Sequence, residues 1–384
     1  MSDKKRRPST ILVEGGRRSE WRRRLVNVPV ERASTILFDD VAELSASRPG
    51  LGQYRYGLQG TATHWSLSQA LTELEPGAAG TSLYSSGLAA ITSALLTVLS
   101  AGDELLVTDS VYGPTRKFCD TILKRFGVAA HYYDPLIGGD IASLINDRTR
   151  AILLESPGSL TMEVQDVPAI CTAARERDVA TIIDNTWATP LFFPAMKAGV
   201  DISIIAATKY VGGHADVMVG AASATSQFHH RLEHTGWDLG HALSPDDAWL
   251  ASRGLRTMGV RLKQHEASAL KVARWLKEQP RVGLVLHPAL PDCPGHDFWK
   301  RDFQGSSGLF SFELDGSTSA FVDALELFGI GFSWGGYESL ALPVQPRRTV
   351  SKPPTNDLVR LHVGLEDCDD LIADLEKGLE RLKT

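Results

Sequence analysis

Cysteine is scarce in this chain, with four in 384 residues. Cys119, Cys171, Cys293 and Cys368 are scattered, and no two form a CxxC pair. Neither a zinc site nor a disulfide framework is expected, and the thiols read as reduced ones in a cytoplasmic protein. Long hydrophobic runs are missing as well. No apolar stretch approaches membrane-spanning length, and the polar opening Met1-Ser2-Asp3-Lys4-Lys5-Arg6-Arg7-Pro8 lacks the apolar core of a secretory signal. There is no internal repeat and no low-complexity segment. Charge of one sign does not dominate either. With 40 Lys and Arg against 46 Asp and Glu, the net charge is −6, which gives no global field for nucleic acid. The N-terminus alone is basic, through Lys4, Lys5, Arg6, Arg7, Arg17, Arg18, Arg22, Arg23 and Arg24. Asp3, Glu14 and Glu20 interrupt it. It reads as a solvated arm or subunit clasp rather than a nucleic-acid arm.

What is present begins with a change of pattern near residue 60. Residues 1–59 show little periodicity and carry Pro29, Pro49, Gly50, Gly52 and Gly57. They are expected to form an irregular arm with one short helix near 38–44. In residues 60–255, short apolar runs at 104–108, 151–155, 180–184, 202–206 and 217–222 alternate with helical stretches at 88–99, 114–126, 140–146 and 168–177. That alternation predicts an α/β domain built on a mostly parallel sheet covered on both faces. A long helical region, 245–279, leads into a third segment, 256–384, with an α+β pattern: strand 308–314, helix 317–328, strand 358–363, helix 367–382.

In open α/β sheets the site gathers at the carboxyl ends of strands. Asp184, Lys209 and Glu155 all fall there. Lys209 follows an apolar run in Ala206-Ala207-Thr208-Lys209-Tyr210-Val211-Gly212-Gly213. A lysine so placed suits a Schiff base with a carbonyl cofactor, and its freed amine suits a general base and acid at Cα. Asp184, one strand earlier, suits a protonated pyridine nitrogen, although it also suits a helix N-cap in Asp184-Asn185-Thr186. The pair reads as a pyridoxal phosphate (PLP) site. Ser85-Ser86-Gly87-Leu88 opens a helix, where backbone N–H groups bind phosphate and a serine can simply cap. Thr208 is a second phosphate candidate. Tyr112 can stack on the ring or serve as a turn residue before Gly113-Pro114. Arg360, a charge inside the apolar run 358–363, needs an anion. Either a substrate carboxylate or a structural ion pair satisfies it. No metal site is expected.

These motifs resemble the Cys/Met-metabolism PLP-dependent enzymes, the cystathionine γ-synthase-like family of fold type I. The resemblance runs from about Val41 to the C-terminus. It rests on Tyr133-Asp134-Pro135-Leu136-Ile137-Gly138, Leu154-Glu155-Ser156-Pro157-Gly158-Ser159-Leu160-Thr161-Met162-Glu163, Asp184-Asn185-Thr186-Trp187, Ala207-Thr208-Lys209-Tyr210, Ser252-Arg253-Gly254-Leu255-Arg256-Thr257, Phe298-Trp299-Lys300-Arg301-Asp302-Phe303 and Ser333-Trp334-Gly335-Gly336-Tyr337-Glu338-Ser339. It implies a mostly parallel seven-stranded sheet and a smaller C-terminal α+β domain. It implies PLP held by Lys209, Asp184, Tyr112, Ser86, Gly87, Leu88, Thr208 and Tyr56. The substrate would meet Arg360, Ser333, Trp334 and Tyr56, with Lys209 and Tyr112 as catalytic groups. Homotetramers of tight dimers are implied, with Tyr56 reaching into the neighbouring subunit.

The last of those stretches favours the β-eliminating branch, hence cleavage of L-cystathionine to homocysteine, pyruvate and ammonia in methionine biosynthesis. Cysteine-conjugate or cystine β-lysis and γ-elimination or γ-replacement stand as alternatives within the family, and a PLP-binding regulator as one outside it. Three positions depart from the family pattern. Leu58 replaces the arginine of a Tyr-x-Arg-x-Gly element that serves the neighbour's phosphate. Ala206 stands where many relatives carry a phosphate-binding serine. Phe332 stands where a tyrosine precedes the serine.

Overall fold

The computed structural model describes residues 6–382; Lys4 and Lys5 of the basic segment lie outside it. Seven strands form the larger sheet: β1 Gly80–Tyr84, β2 Glu104–Thr108, β3 Ala129–Tyr133, β4 Thr149–Glu155, β5 Ala180–Asp184, β6 Ile202–Ile205 and β7 Gly220–Ala224. Their order is β1-β7-β6-β5-β4-β2-β3. Pairings from β3 through β6 are parallel, and β7 alone runs against both of its neighbours. The expected mostly parallel sheet is therefore present, with one reversed strand beside the lysine-bearing loop. A smaller sheet of β8 Val282–Leu286, β9 Leu309–Leu314, β10 Leu340–Val344 and β11 Leu358–His362 has the order β10-β11-β9-β8 and is antiparallel throughout.

Continuous apolar runs become strands here because both faces of the large sheet are covered. Along β4, Ile152 and Leu154 join one buried cluster while Ala151 and Leu153 join the other. This is the period-two alternation of a strand with no wet face. Helix Gly87–Val98 supplies Ala90, Ile91, Ala94 and Leu95 to one cluster; helices Ala62–Leu74 and Val167–Arg175 supply Leu67, Leu71 and Ile170 to the other. A third cluster joins the small sheet to helices Met258–Lys277 and Cys368–Arg381.

Several boundaries differ from the sequence reading. The stretch 245–279 is two helices, Pro245–Leu255 and Met258–Lys277. Between them the amides of Arg256 and Thr257 turn to carbonyls three residues back, and the Arg256 guanidinium reaches out to the carbonyls of Leu12 and Gly15. Strands β1, β3, β8 and β10 were not expected: β1 and β3 carry no continuous apolar run, and the short runs of β8 and β10 are broken by Gly283 and Pro343. The arm is less irregular than expected, since Pro8–Glu14 is helical and Leu12 is buried. Its short helix lies at Val41–Ala46, capped by the Asp40 side chain. Arg17, Arg23 and Arg32 of the arm pair with Glu14, Glu31 and Asp246. These three arginines are therefore not free basic groups.

Candidate active site

β4 and β5 end side by side, with Glu155 opposite Asp184 in register. The next strand, β6, ends at Ile205 and delivers Lys209 four residues on. The lysine loop is tightly stitched. The Lys209 amide donates to Ala206 O at 2.9 Å, and the Gly213 amide donates to Lys209 O at 2.7 Å. Gly213 has φ +71°, and a Cβ there would lie 2.1 Å from the Arg261 guanidinium. Gly254 of the following helix presses against the loop so closely that a Cβ would meet Gly212 O at 2.1 Å. The glycines behind the lysine thus serve the close packing that fixes it.

From this bracket the Lys209 amine donates to Ser333 Oγ at 2.5 Å and lies 5.3 Å from the Trp334 ring centroid. Burial, and then the Arg360 cation, pull its pKa down to about 8 against the opposing charge of Asp184. An amine in that range exchanges a proton readily near neutral pH. Ser333 has φ +84°, a left-handed backbone unusual for a residue with a side chain. Trp334 packs on Tyr210, ring centroids 5.4 Å apart. Phe332, the departure beside them, is 92% exposed.

Arg360 sits on β11 and donates from Nη2 to Ser333 O at 3.0 Å. Among the described residues no carboxylate forms an ion pair with it. Of the two readings open in the sequence, the structural ion pair therefore has no partner. Burial pushes the guanidinium down to about 10. A fork of donors held in a half-buried place without an anion suits a carboxylate ligand.

Asp184 accepts from the Thr186 amide at 3.0 Å and the Thr186 hydroxyl at 2.5 Å. Burial raises its pKa despite those bonds and despite Lys209. A bound cation, such as a pyridinium nitrogen, would restore its charge. Glu155 is raised well above the carboxylate range by burial and then by Asp184. Its carboxylate accepts the Tyr112 amide at 2.7 Å, which fixes the turn carrying that ring. Tyr112 is 44% exposed. Burial, followed by Asp184 and Glu155, raises its phenol.

Helix Gly87–Val98 begins on the same side. Ser86 Oγ accepts from the Ala89 amide at 3.1 Å, a true N-cap. The amides of Gly87 and Leu88, in the first turn, have no carbonyl within the helix to meet. Gly87 is packed against the lysine segment so tightly that a Cβ would lie 2.5 Å from Ala206 Cβ. These donors and the dipole of a long helix suit a phosphate. Thr208 turns its hydroxyl elsewhere: it donates to Val219 O at 3.2 Å and accepts from Val219 N at 2.9 Å. Tyr56 is 50% exposed on the arm, bridged by backbone to Thr35. Leu58 lines a separate cavity of about 470 Å³ between the arm and the start of β1, with His64, Trp65 and Trp237. The residues present otherwise fit PLP, with a base, an acid for the ring nitrogen, an aromatic face and a phosphate cradle.

A second network escaped the sequence reading. Asp109, buried just after β2, accepts from the amides of Thr349, Val350 and Ser351, from Ser351 Oγ and from Arg116 at 2.7–2.9 Å. Arg348 meets Glu163 at 2.6 Å, both nearly buried, and also Thr161. These bonds tie the segment between β10 and β11 to the end of β2 and to the loop after β4. Asp109 stands just past the apolar strand β2, and that placement was the one signal that could have marked it; Glu163, in the loop after β4, had none.

Residues 9–380 match the family model described as Cys/Met metabolism PLP-dependent enzyme. The chain is 46% identical to cystathionine beta-lyase MetC of Escherichia coli K12, covering 100% of both chains. It is 44% identical to cystathionine beta-lyase of Haemophilus influenzae, covering 97% of this chain and 98% of that one. The crystal structure of metB from Corynebacterium glutamicum superposes with a TM-score of 0.92 at 29% identity, over 100% of each chain.

Proposed function

The chain belongs to the Cys/Met metabolism PLP-dependent enzyme family, and from that premise we propose that it cleaves L-cystathionine by α,β-elimination. With one water consumed, the products are L-homocysteine, pyruvate and ammonia. The observation that carries the reading is the Lys209 amine held on Ser333 Oγ beside Arg360, which forms no ion pair among the described residues. Its relatives of 44% and 46% identity are named cystathionine beta-lyases.

PLP, when bound, supplies a sink for the electron pair left at the amino acid's Cα. The rest falls to the chain. The Gly87 and Leu88 amides, with Ser86, would take the cofactor's phosphate. Asp184 would serve the ring nitrogen, whose charge would answer the buried carboxylate. Tyr112, placed by its amide on Glu155, would offer its ring to the pyridine. Arg360 takes the α-carboxylate by its fork and so orients the Cα–H bond. Lys209, lowered to about 8, removes the Cα proton and returns one to the departing sulfur. Ser333 holds that amine in line.

The proposal extends to organisation. An arm of residues 1–59, a cofactor domain of 60–255 and a C-terminal domain of 256–384 would assemble as a cytoplasmic homotetramer, with Tyr56 serving the neighbouring site. Its exposure on the arm, and the arm's internal ion pairs, support that arrangement. It also leaves the phosphate without the usual arginine, since Leu58 cannot donate.

Product analysis tests the reaction. Purified protein given L-cystathionine should release homocysteine and pyruvate. Release of cysteine and 2-oxobutyrate would replace the proposal with γ-elimination. Lys209→Ala should abolish turnover.

A further inference from the structure

We infer that His362 is a positioning residue that holds the left-handed turn of Ser333 in place against Lys209. The inference rests on the proposed role of Lys209. On β11, Arg360 and His362 are two apart and share a face. Both reach the same turn: Arg360 donates to Ser333 O at 3.0 Å, and the His362 Nε2–H donates to Gly336 O at 3.1 Å. The turn needs holding. Ser333 has φ +84° and Gly335 φ +88°, and such backbone persists only where its surroundings over-determine it. It also lies hard against the lysine, because a Cβ at Gly335 would stand 3.1 Å from Lys209 Cα.

Arg360 alone does not suffice for that work. Its fork is the group offered to the substrate carboxylate, so its hold on Ser333 O is a single bond shared with that duty. His362 has no such second duty. Its ring is 0% exposed, sits 5.2 Å from the His265 ring and 6.1 Å from Tyr210, and leaves Nδ1 without a partner. Facing a carbonyl, Nε2 must carry the proton, which fixes the tautomer. Burial first, then His265, Arg360 and Lys209, lower its pKa to about 3. The ring therefore stays neutral and adds no third cation beside Lys209 and Arg360. On the far side of the turn, Glu366 accepts from Ser339 N and Ser339 Oγ at 2.8 Å each. The Leu365 amide donates to Tyr337 O and the Gly364 amide to Ser339 Oγ, each at 2.8 Å, so β11 and the segment after it hold the far end of the turn as well. Among the described residues, His362 alone holds Gly336 O.

Two variants of matched polarity separate positioning from packing. In His362→Gln the amide nitrogen reaches the place of Nε2; in His362→Asn it reaches only that of Nδ1. In the holoenzyme, Gln should keep kcat within about threefold of the parent, while Asn should lower kcat about tenfold with little change in KM. Hydrogen exchange of residues 333–339, measured without substrate, should match the parent in Gln and be faster in Asn. Equal kcat and equal exchange in the two variants would overturn the inference. If Asn does not fold, Gln decides alone: parent-like exchange in 333–339 supports the pin, and faster exchange with full kcat removes it. Because exchange is read without substrate, a failure of the cystathionine assignment leaves this comparison intact.

Discussion

Glu155 and Asp184 stand opposite each other at the carboxyl ends of adjacent parallel strands, and the charge of Asp184 burdens that of Glu155. Glu155 is the one held well above its ordinary range, by burial first and Asp184 second. A carboxyl whose folded pKa is raised loses stability as pH climbs from its ordinary value near 4 through the folded pKa. In protein not yet given PLP, Glu155→Gln should therefore raise the thermal midpoint more at pH 8 than at pH 5. Gln keeps an acceptor for the Tyr112 amide. A midpoint shift equal at the two pH values would show that the charge at 155 is not the cause.

Asp109 should behave in the opposite sense. Burial opposes its charge, but the amides of Ser351, Val350 and Thr349 and the Arg116 guanidinium outweigh burial and hold its carboxyl well below the usual range. Its stabilisation is present above the ordinary carboxylate pKa and is lost as pH falls through the depressed one. Asp109→Asn, which leaves Arg116 buried beside a neutral group, should cost about 3 kcal/mol in a denaturant titration at pH 7. The deficit should narrow toward strong acid.

Arg360→Lys tests the carboxylate fork. A point charge cannot reproduce a bidentate grip, so KM for cystathionine should rise about 10- to 100-fold, with a smaller change in kcat. Steady-state kinetics decide it. An unchanged KM removes Arg360 from the substrate site.

Ser333→Gly separates strain from chemistry. Glycine accepts φ +84° freely, and relief of a left-handed residue offsets up to about 1 kcal/mol of the contact that is lost. The thermal midpoint should hold or rise while kcat falls about tenfold, because the Lys209 amine loses its partner. A midpoint that drops along with kcat would mean the hydroxyl matters mainly for folding.

The strand ends were legible because strands buried on both faces are written as unbroken apolar runs. The runs before Asp184 and around 202–206 marked the two residues the site is built on. β1, Gly-Thr-Ser-Leu-Tyr, has no such run and was not expected; it is an edge strand, and Thr81 is satisfied by hydroxyl contacts to Thr72 and Ser223. Arg360 was visible as a charge in an apolar strand, but its lack of a carboxylate partner needed coordinates. The long-range bonds of Asp109 and Arg348 were not legible. Their partners lie 240 and 185 positions away in the chain, and no local pattern announces a bond of that span. Ser333 was singled out by motif, yet its left-handed turn is set by β11 and the lysine loop, not by its own neighbours. His362, on the same strand as Arg360, was not singled out.

The reversal of β7 bears on how Lys209 moves. In a parallel sheet the chain leaves a strand end through a long crossover, but here β6 is followed by its antiparallel neighbour, so the lysine rides on a closed loop. Both stems are sewn together where Thr208 and Val219 exchange bonds through backbone and hydroxyl. The amine is thus the tip of a flexible four-carbon arm on a rigid mount. Passing a proton from one face of a bound molecule to another asks only for rotation about side-chain bonds, which takes picoseconds to nanoseconds rather than the microseconds of a moving lid. Turnover would then be paced by bond breaking or product departure, with the mount itself standing still.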